Sequence, residues 1–218
     1  MDDPNTGCDY HYDNPAPSHS DAYLLPTVLR QFARLPFPSG GPRRVFELGC
    51  GNGATASRLT SHGYTITGVD PSTEGVAVAN RSYPTLDIKQ GSCYDDLAAR
   101  FGRFPALLSL EVVEHVFLPR RFARCVYDLL EPGGTAVIST PYHGYWKNLA
   151  LSVSGTWDRH LAPLWDYGHI KFWSVRTLTK LFEEVGLSVE RIHRIGRIPA
   201  LAKAMIAVVR RPPGPAAP

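Results

Sequence analysis

A carboxylate followed by three alternating glycines, Glu47-Leu48-Gly49-Cys50-Gly51-Asn52-Gly53, is where the chemistry of this sequence begins. Glycines there permit a tight turn and let a ligand approach the backbone closely. A short apolar run, Arg44–Leu48, enters the turn and a helical stretch, Ala54–Ser61, leaves it, so the unpaired N–H groups of a helix start face the same point. The next β-branched run, Tyr64–Val69, ends at Asp70, twenty-three residues after Glu47. A carboxylate at that place suits the two hydroxyls of a ribose, both of which donate to it. An adenosine-containing ligand is therefore expected. Gly49-x-Gly51-x-x-Ala54 also satisfies the relaxed dinucleotide fingerprint, which keeps NAD(P) in view. Glu47 separates the two: its charge repels a pyrophosphate and attracts a ligand bearing an amine and a sulfonium. S-adenosyl-L-methionine (SAM) carries both cations.

Four stretches together, ELGCGNG, Val69-Asp70, LEVVEHV at 110–116 and LEPGG at 130–134, resemble the class I SAM-dependent methyltransferases. The likeness is nearest to the ubiquinone-biosynthesis O-methyltransferase group and its small bacterial relatives. It covers roughly residues 43–140, and GHIKFWS at 168–174 resembles a later part of such proteins. The resemblance implies that Glu47, Gly49 and Gly51, with Cys50 between the glycines, meet the methionine part of the cofactor, and that Asp70 meets the ribose. It puts Pro71 and Ser72 beside the adenosine, Ser92 and Cys93 around the adenine, and Glu111 near the methionine part or the reacting centre. It also implies a Rossmann-like α/β fold: a seven-stranded, mostly parallel sheet with helices on both faces and an antiparallel last strand.

Glu111, Glu114 and His115 follow the fourth strand, where cofactor and acceptor should meet. In a helical turn they share a face. Three readings stay open. His115 is a candidate general base. The cluster is a candidate divalent-metal site, as the ubiquinone-pathway resemblance suggests with magnesium, although a metal is not expected. The third reading is structural, with His115 capping or packing and Glu114 solvated. After the fifth strand, residues 141–173 hold all four tryptophans (Trp146, Trp157, Trp165, Trp173) with Tyr142, Tyr145, Tyr167, His143, His160 and His169. So long an aromatic connection at the ligand end of a sheet reads as a lid over the acceptor. His143 is expected to face the acceptor in preference to His169, and most of the tryptophans to pack a small core within the insertion. GHIKFWS is expected to fix the insertion against the last helix. Tyr10, Tyr12, His19 and Tyr23 form an aromatic group ahead of the fold, and His19 is a cofactor-contact candidate from it.

Strands alternating with helices must position these residues. Leu24, Leu25, Val28, Leu29 and Phe32 keep helical spacing before a Pro/Gly break at 36–42. Further helices are expected at Ser72–Asn80 and Tyr94–Phe101, from Pro119 until Pro132-Gly133-Gly134 stops the chain, and from the cap Ser174 to Gly186. Strands are expected at Leu86–Lys89, Ala106–Leu110, Thr135–Thr140, Leu187–Ile195 and Ala204–Val209. The division that follows is 1–42 as an N-terminal cap segment and linker, 43–210 as the SAM-dependent methyltransferase domain with the 141–173 lid, and 211–218 as a disordered tail.

With 218 residues, 44% hydrophobic, the chain is long enough for a core without disulfides. The net charge of +3 is too balanced to call for nucleic acid, and no Asn-Pro-Pro-Tyr-like motif follows the fourth strand. No run approaches the length of a membrane span. Cys8, Cys50, Cys93 and Cys125 are scattered, which reads as reduced thiols of a cytoplasmic protein. The expected activity is SAM-dependent methyl transfer to a small-molecule acceptor, most readily a hydroxyl or phenol oxygen. The alternatives are small-molecule N-methylation, an NAD(P)-dependent oxidoreductase and a non-catalytic SAM-binding protein. The sequence carries no signal for oligomeric state.

Overall fold

The computed structural model describes residues 12, 14–37, 39–166 and 168–214. Cys8, Tyr10 and Tyr167 lie outside the described residues. One sheet runs through the molecule in the order β3-β2-β1-β4-β5-β7-β6. Its strands are β1 (Arg43–Leu48), β2 (Tyr64–Asp70), β3 (Asp87–Gln90), β4 (Phe104–Ser109), β5 (Leu130–Pro141), β6 (Ser188–Ile195) and β7 (Ala204–Arg210). The first five are mutually parallel, and β7 is antiparallel to both β5 and β6.

The central strands are buried on both faces, which is why Val45, Phe46, Leu107 and Leu108 form apolar runs without alternation. On one face α1 (Asp21–Phe32), α2 (Ala54–Ser61) and α3 (Thr73–Ser82) lay Leu24, Val28, Phe32, Leu59 and Ala79 against the sheet. On the other, α4 (Leu97–Phe101), α5 (Pro119–Leu129) and α8 (Val175–Glu183) contribute Leu97, Phe122, Val126, Leu129, Leu178 and Phe182. The expected capping of α8 is a full capping box: Thr177 N donates to Ser174 Oγ, and Ser174 N to Thr177 Oγ1.

Three expectations change. Pro132-Gly133-Gly134 does not stop α5; the helix ends at Leu129, and Leu130 is already extended at the start of β5. The glycines instead shape an irregularity in that strand, with Gly133 at φ 81° and its N–H donating to Arg211 O. Arg211, assigned to the tail, is held by bonds from Nη1 to Tyr127 O (3.0 Å) and Leu130 O (2.7 Å). The insertion is not irregular throughout: it carries α6 (Tyr145–Val153) and α7 (Trp157–Leu161). Among the described residues no helix is long and apolar enough to cross a membrane. Cys50, Cys93 and Cys125 are free thiols.

The strand order reverses between β1 and β4, so the carboxyl ends of these two strands open a crevice. The glycine turn leaves one side of it and the Glu111–His115 loop the other.

Candidate functional site

The glycine turn is fixed from below. Gly49 N and Cys50 N both donate to Val69 O at the end of β2 (2.8 and 3.0 Å), and Ser109 Oγ ties β4 to Leu48 O at 2.7 Å. Gly49 and Gly51 have φ of 83° and 50°, the left-handed region where a side chain is strained. Space excludes a side chain as well: a Cβ on Gly49 would strike Val112, and one on Gly51 would lie 2.5 Å from the Tyr12 hydroxyl.

This turn borders a cavity of about 470 Å³, within the range of small-ligand sites. Of the eleven cofactor candidates, Glu47, Gly49, Cys50, Gly51, Asp70, Pro71, Ser92, Cys93, Glu111 and His19 all line it. Ser72 does not; its hydroxyl caps α3 by accepting from Gly75 N at 3.0 Å. Asp70 is buried, with Oδ2 accepting from Gly51 N (2.7 Å) and Oδ1 from Ser72 N (2.9 Å). Each oxygen retains a lone pair, so two hydroxyls can still donate to it. Burial raises this carboxyl to about 6 against those two backbone bonds. Glu47 is 3% exposed, and its Oε2 has no partner. Burial, then the nearby Asp21 and Asp70 charges, push it well above the usual carboxylate range.

Across the crevice Glu111 has φ 56°, a strained conformation for a residue with a side chain. Ser139, at the end of β5, holds it there: Glu111 N donates to Ser139 Oγ (3.0 Å), which donates to Glu111 Oε1 (2.7 Å). Desolvation raises Glu111 to about 7. Glu114 is not solvated, contrary to the structural reading; it is fully buried, with Thr140 Oγ1 donating to Oε2 and Oε1 unpartnered.

GHIKFWS packs on this loop as well as on the last helix, where its Ser174 is the cap and its Trp173 shares a core with Leu178 and Phe182. Ile170 N and Lys171 N both donate to Glu114 O (3.0 and 2.9 Å), and Trp173 Nε1 donates to Val113 O (3.2 Å). These bonds carry His169 to the cavity wall, where its ring meets those of His115 (4.9 Å) and Trp165 (5.3 Å) edge-on. His115 Nδ1 lies 3.2 Å from Gly168 O. A carbonyl oxygen only accepts, so Nδ1 carries the proton and Nε2 is the basic nitrogen of the neutral ring.

His143, the histidine expected to face the acceptor, is not among the cavity-lining residues. Its backbone N–H is bound to Trp173 O, and its ring packs between Phe172 and His160 at 5.1 and 5.4 Å. Burial depresses both His143 and His169 to about 4. The tryptophans divide differently from the expected small core. Trp173 joins the main core, Trp157 bridges α6 and α7 through Ser152, and Trp146 and Trp165 are 62% and 41% exposed.

Sequence reasoning did not name Asp21, Thr55, Ser139 or Thr140 as site residues. Asp21 and Thr55 line the cavity, Ser139 holds the cavity's Glu111, and Thr140 holds the buried Glu114. Ser139 and Thr140 carry a signal in hindsight, as paired hydroxyls at the carboxyl end of a central strand. Glu114, His115 and His169 bring ligand atoms within 4.8 Å of one another. With the unpartnered Glu114 oxygen, this donor set fits a divalent cation, and it includes His169 where the sequence offered Glu111.

A family model described as a methyltransferase domain matches residues 19–192. The ubiquinone biosynthesis O-methyltransferase of Cereibacter sphaeroides is 30% identical over 173 residues, covering 76% of this chain and 69% of that protein. Among solved structures, magnesium protoporphyrin IX methyltransferase of Synechocystis PCC 6803 with bound SAH is similar at TM-score 0.61 and 16% identity, over 86% of this chain and 80% of that one. A [4+2]-cyclase is similar at TM-score 0.63 and 15% identity, over 96% and 89%. At those identities the structural likeness speaks for the fold alone.

Proposed function

The chain belongs to the SAM-dependent methyltransferases, and on that premise we propose that it methylates the hydroxyl oxygen of a small, uncharged aromatic acceptor. Membership decides for a methyl donor over a dinucleotide at the glycine turn. In this reading the amino-acid end of SAM lies against Glu47, Gly49, Cys50 and Gly51. Its ribose hydroxyls donate to Asp70, Pro71 flanks the adenosine, and Ser92 and Cys93 border the adenine. His19 closes the rim. The acceptor enters beside Tyr23, His115, Trp165 and His169.

The observation that carries the acceptor class is the lining of the cavity. Its acceptor half is aromatic, its floor holds Glu111, and among the described residues no Lys or Arg lines it. The residues outside the described set contain neither type. Such a wall favours a neutral ring over a carboxylate or phosphate. Methyl transfer is an in-line displacement: the acceptor oxygen attacks the sulfonium methyl, and the thioether leaves. The chain's task is to hold the two partners in line and exclude water. The hydroxyl proton goes to His115 Nε2, whose tautomer Gly168 O fixes. The 30% identity to a ubiquinone biosynthesis O-methyltransferase supports oxygen as the acceptor atom.

The Glu114-His115-His169 grouping favours one second reading, in which the three hold a divalent cation. Such an ion would polarise the acceptor oxygen. One experiment separates these readings, with catechol as acceptor and mass spectrometry of the product. His115→Ala should lower kcat by about a hundredfold or more, with affinity for S-adenosylhomocysteine (SAH) retained. His143→Ala should stay near wild type, and EDTA should have no effect. Loss of turnover in EDTA, restored by magnesium, selects the metal reading. Full turnover in both histidine variants rejects a histidine base, and methylation of an arylamine in place of catechol rejects oxygen.

A further inference from the structure

Asp21 opens α1, yet it is only 4% exposed and lines the same cavity as Glu47. Its oxygens are held by neutral hydroxyls alone: Ser18 Oγ donates to Oδ1 (2.9 Å) and Thr55 Oγ1 to Oδ2 (3.2 Å). These bonds orient the carboxylate without neutralising it. The ion pairs among the described residues, Lys89–Asp87, Arg120–Glu184 and Arg210–Glu190, leave Asp21 and Glu47 out. Glu47, reached from the other wall, keeps a buried oxygen with no donor. Two carboxylates from different elements thus border one cavity with no protein cation between them among the described residues. Buried charges of one sign require a counter-charge from elsewhere.

The unpartnered oxygen narrows the chemistry of that counter-charge. It needs an N–H or O–H donor, which a sulfonium lacks and a primary ammonium has three times over. We propose that Asp21 and Glu47 together clamp the α-ammonium of the bound cofactor, so that the amino-acid end of the ligand joins the N-terminal helix to the glycine turn. This assignment rests on the SAM reading of the cavity. It makes Asp21 a binding residue contributed from outside the strand–turn–helix unit. Thr55, one residue into α2, positions it.

Two ligands that differ only at this end test the assignment. SAH carries the amino-acid chain; 5′-methylthioadenosine keeps the adenosine and thioether and lacks it. Calorimetry on the full chain should give Asp21→Asn an SAH affinity about tenfold or more below wild type, with 5′-methylthioadenosine changed by less than about twofold. Thr55→Val, which keeps the carboxylate and removes its hydroxyl partner, should show the same selectivity at smaller size. It also carries the test if Asp21→Asn melts early. Equal losses for both ligands would overturn the clamp and leave Asp21 a helix-docking residue. Unchanged SAH affinity in both variants would also overturn it. Failure of the wild-type chain to bind either ligand would instead remove the SAM reading itself.

Discussion

Glu47 is an acid removed from water with no base beside it, and this has a consequence for stability. Its folded-state pKa lies well above 4.5 because burial and the Asp21 and Asp70 charges disfavour ionisation. Below 4.5 the group is protonated folded and unfolded alike, and it contributes no difference. As pH rises past that value the unfolded chain ionises and the folded one resists, so stability is progressively lost. Glu47→Gln, a neutral side chain of the same shape, escapes this loss. In cofactor-free protein its melting temperature should therefore exceed wild type by a margin that widens from about pH 5 to about pH 8. A margin independent of pH would mean that Glu47 is not strained by its charge. Glu47 and Asp70 are legible in the sequence because each ends a strand, where direction and burial follow from the pattern. The histidines are not legible in that way. His143 sits two residues past the end of β5, but its backbone bond to Trp173 O turns it into the insertion. His169 reaches the cavity only because two successive N–H groups after it converge on Glu114 O. Both facts depend on contacts between segments thirty or more residues apart, which local spacing does not encode.

At the scale of elements, the alternation of period-two and period-3.6 stretches placed α2 at its observed bounds and β2 one residue short, with others within a few residues. It failed where a breaker had a second use. Pro132-Gly133-Gly134 reads as the end of a helix, but pairing of β5 with β4 shifts register there, and the segment serves as strand. It also failed in the insertion, where aromatic and polar residues are mixed too evenly to show that α6 and α7 are helices. The element that matters most for the acceptor half is the 168–173 segment, held to the β4 loop by four bonds, one of them from Trp173 Nε1 to Val113 O. Trp173→Phe keeps most of the buried ring and deletes that donor. It should lower stability by about 1 kcal/mol in urea denaturation. It should also reduce kcat for the acceptor while SAH affinity holds, because the glycine turn is anchored independently on Val69 O and Asp70 on Gly51 N and Ser72 N. A parallel fall in SAH affinity would show that the two halves of the crevice are not separately supported.

For the molecule as a whole, net charge and local charge point in opposite directions. The chain carries +3, yet Asp21, Glu47, Asp70 and Glu111 gather along one cavity at the carboxyl ends of the parallel strands. The sheet order causes this in part: reversal between β1 and β4 brings the ends of both strands to one crevice, with Glu47 next to last in β1 and Glu111 just beyond β4. Composition could not reveal it, because the balancing Lys and Arg residues lie elsewhere on the chain. Such a cavity couples ligand binding to protons. Before binding, burial holds Glu47 well above the usual carboxylate range, and Asp70 and Glu111 at about 6 and about 7, so part of this charge is masked by bound protons near neutrality. An ammonium beside Glu47 favours its ionised form, and hydroxyls donating to Asp70 favour that of Asp70. SAH should therefore expel protons as it binds. Calorimetry at about pH 7 in buffers of different ionisation enthalpy should report net proton release. Affinity should rise with pH through the same range, and Glu47→Gln should release fewer protons than wild type. Net proton uptake, or release identical in the variant, would mean that the carboxylates are not the groups that receive the ligand's cation.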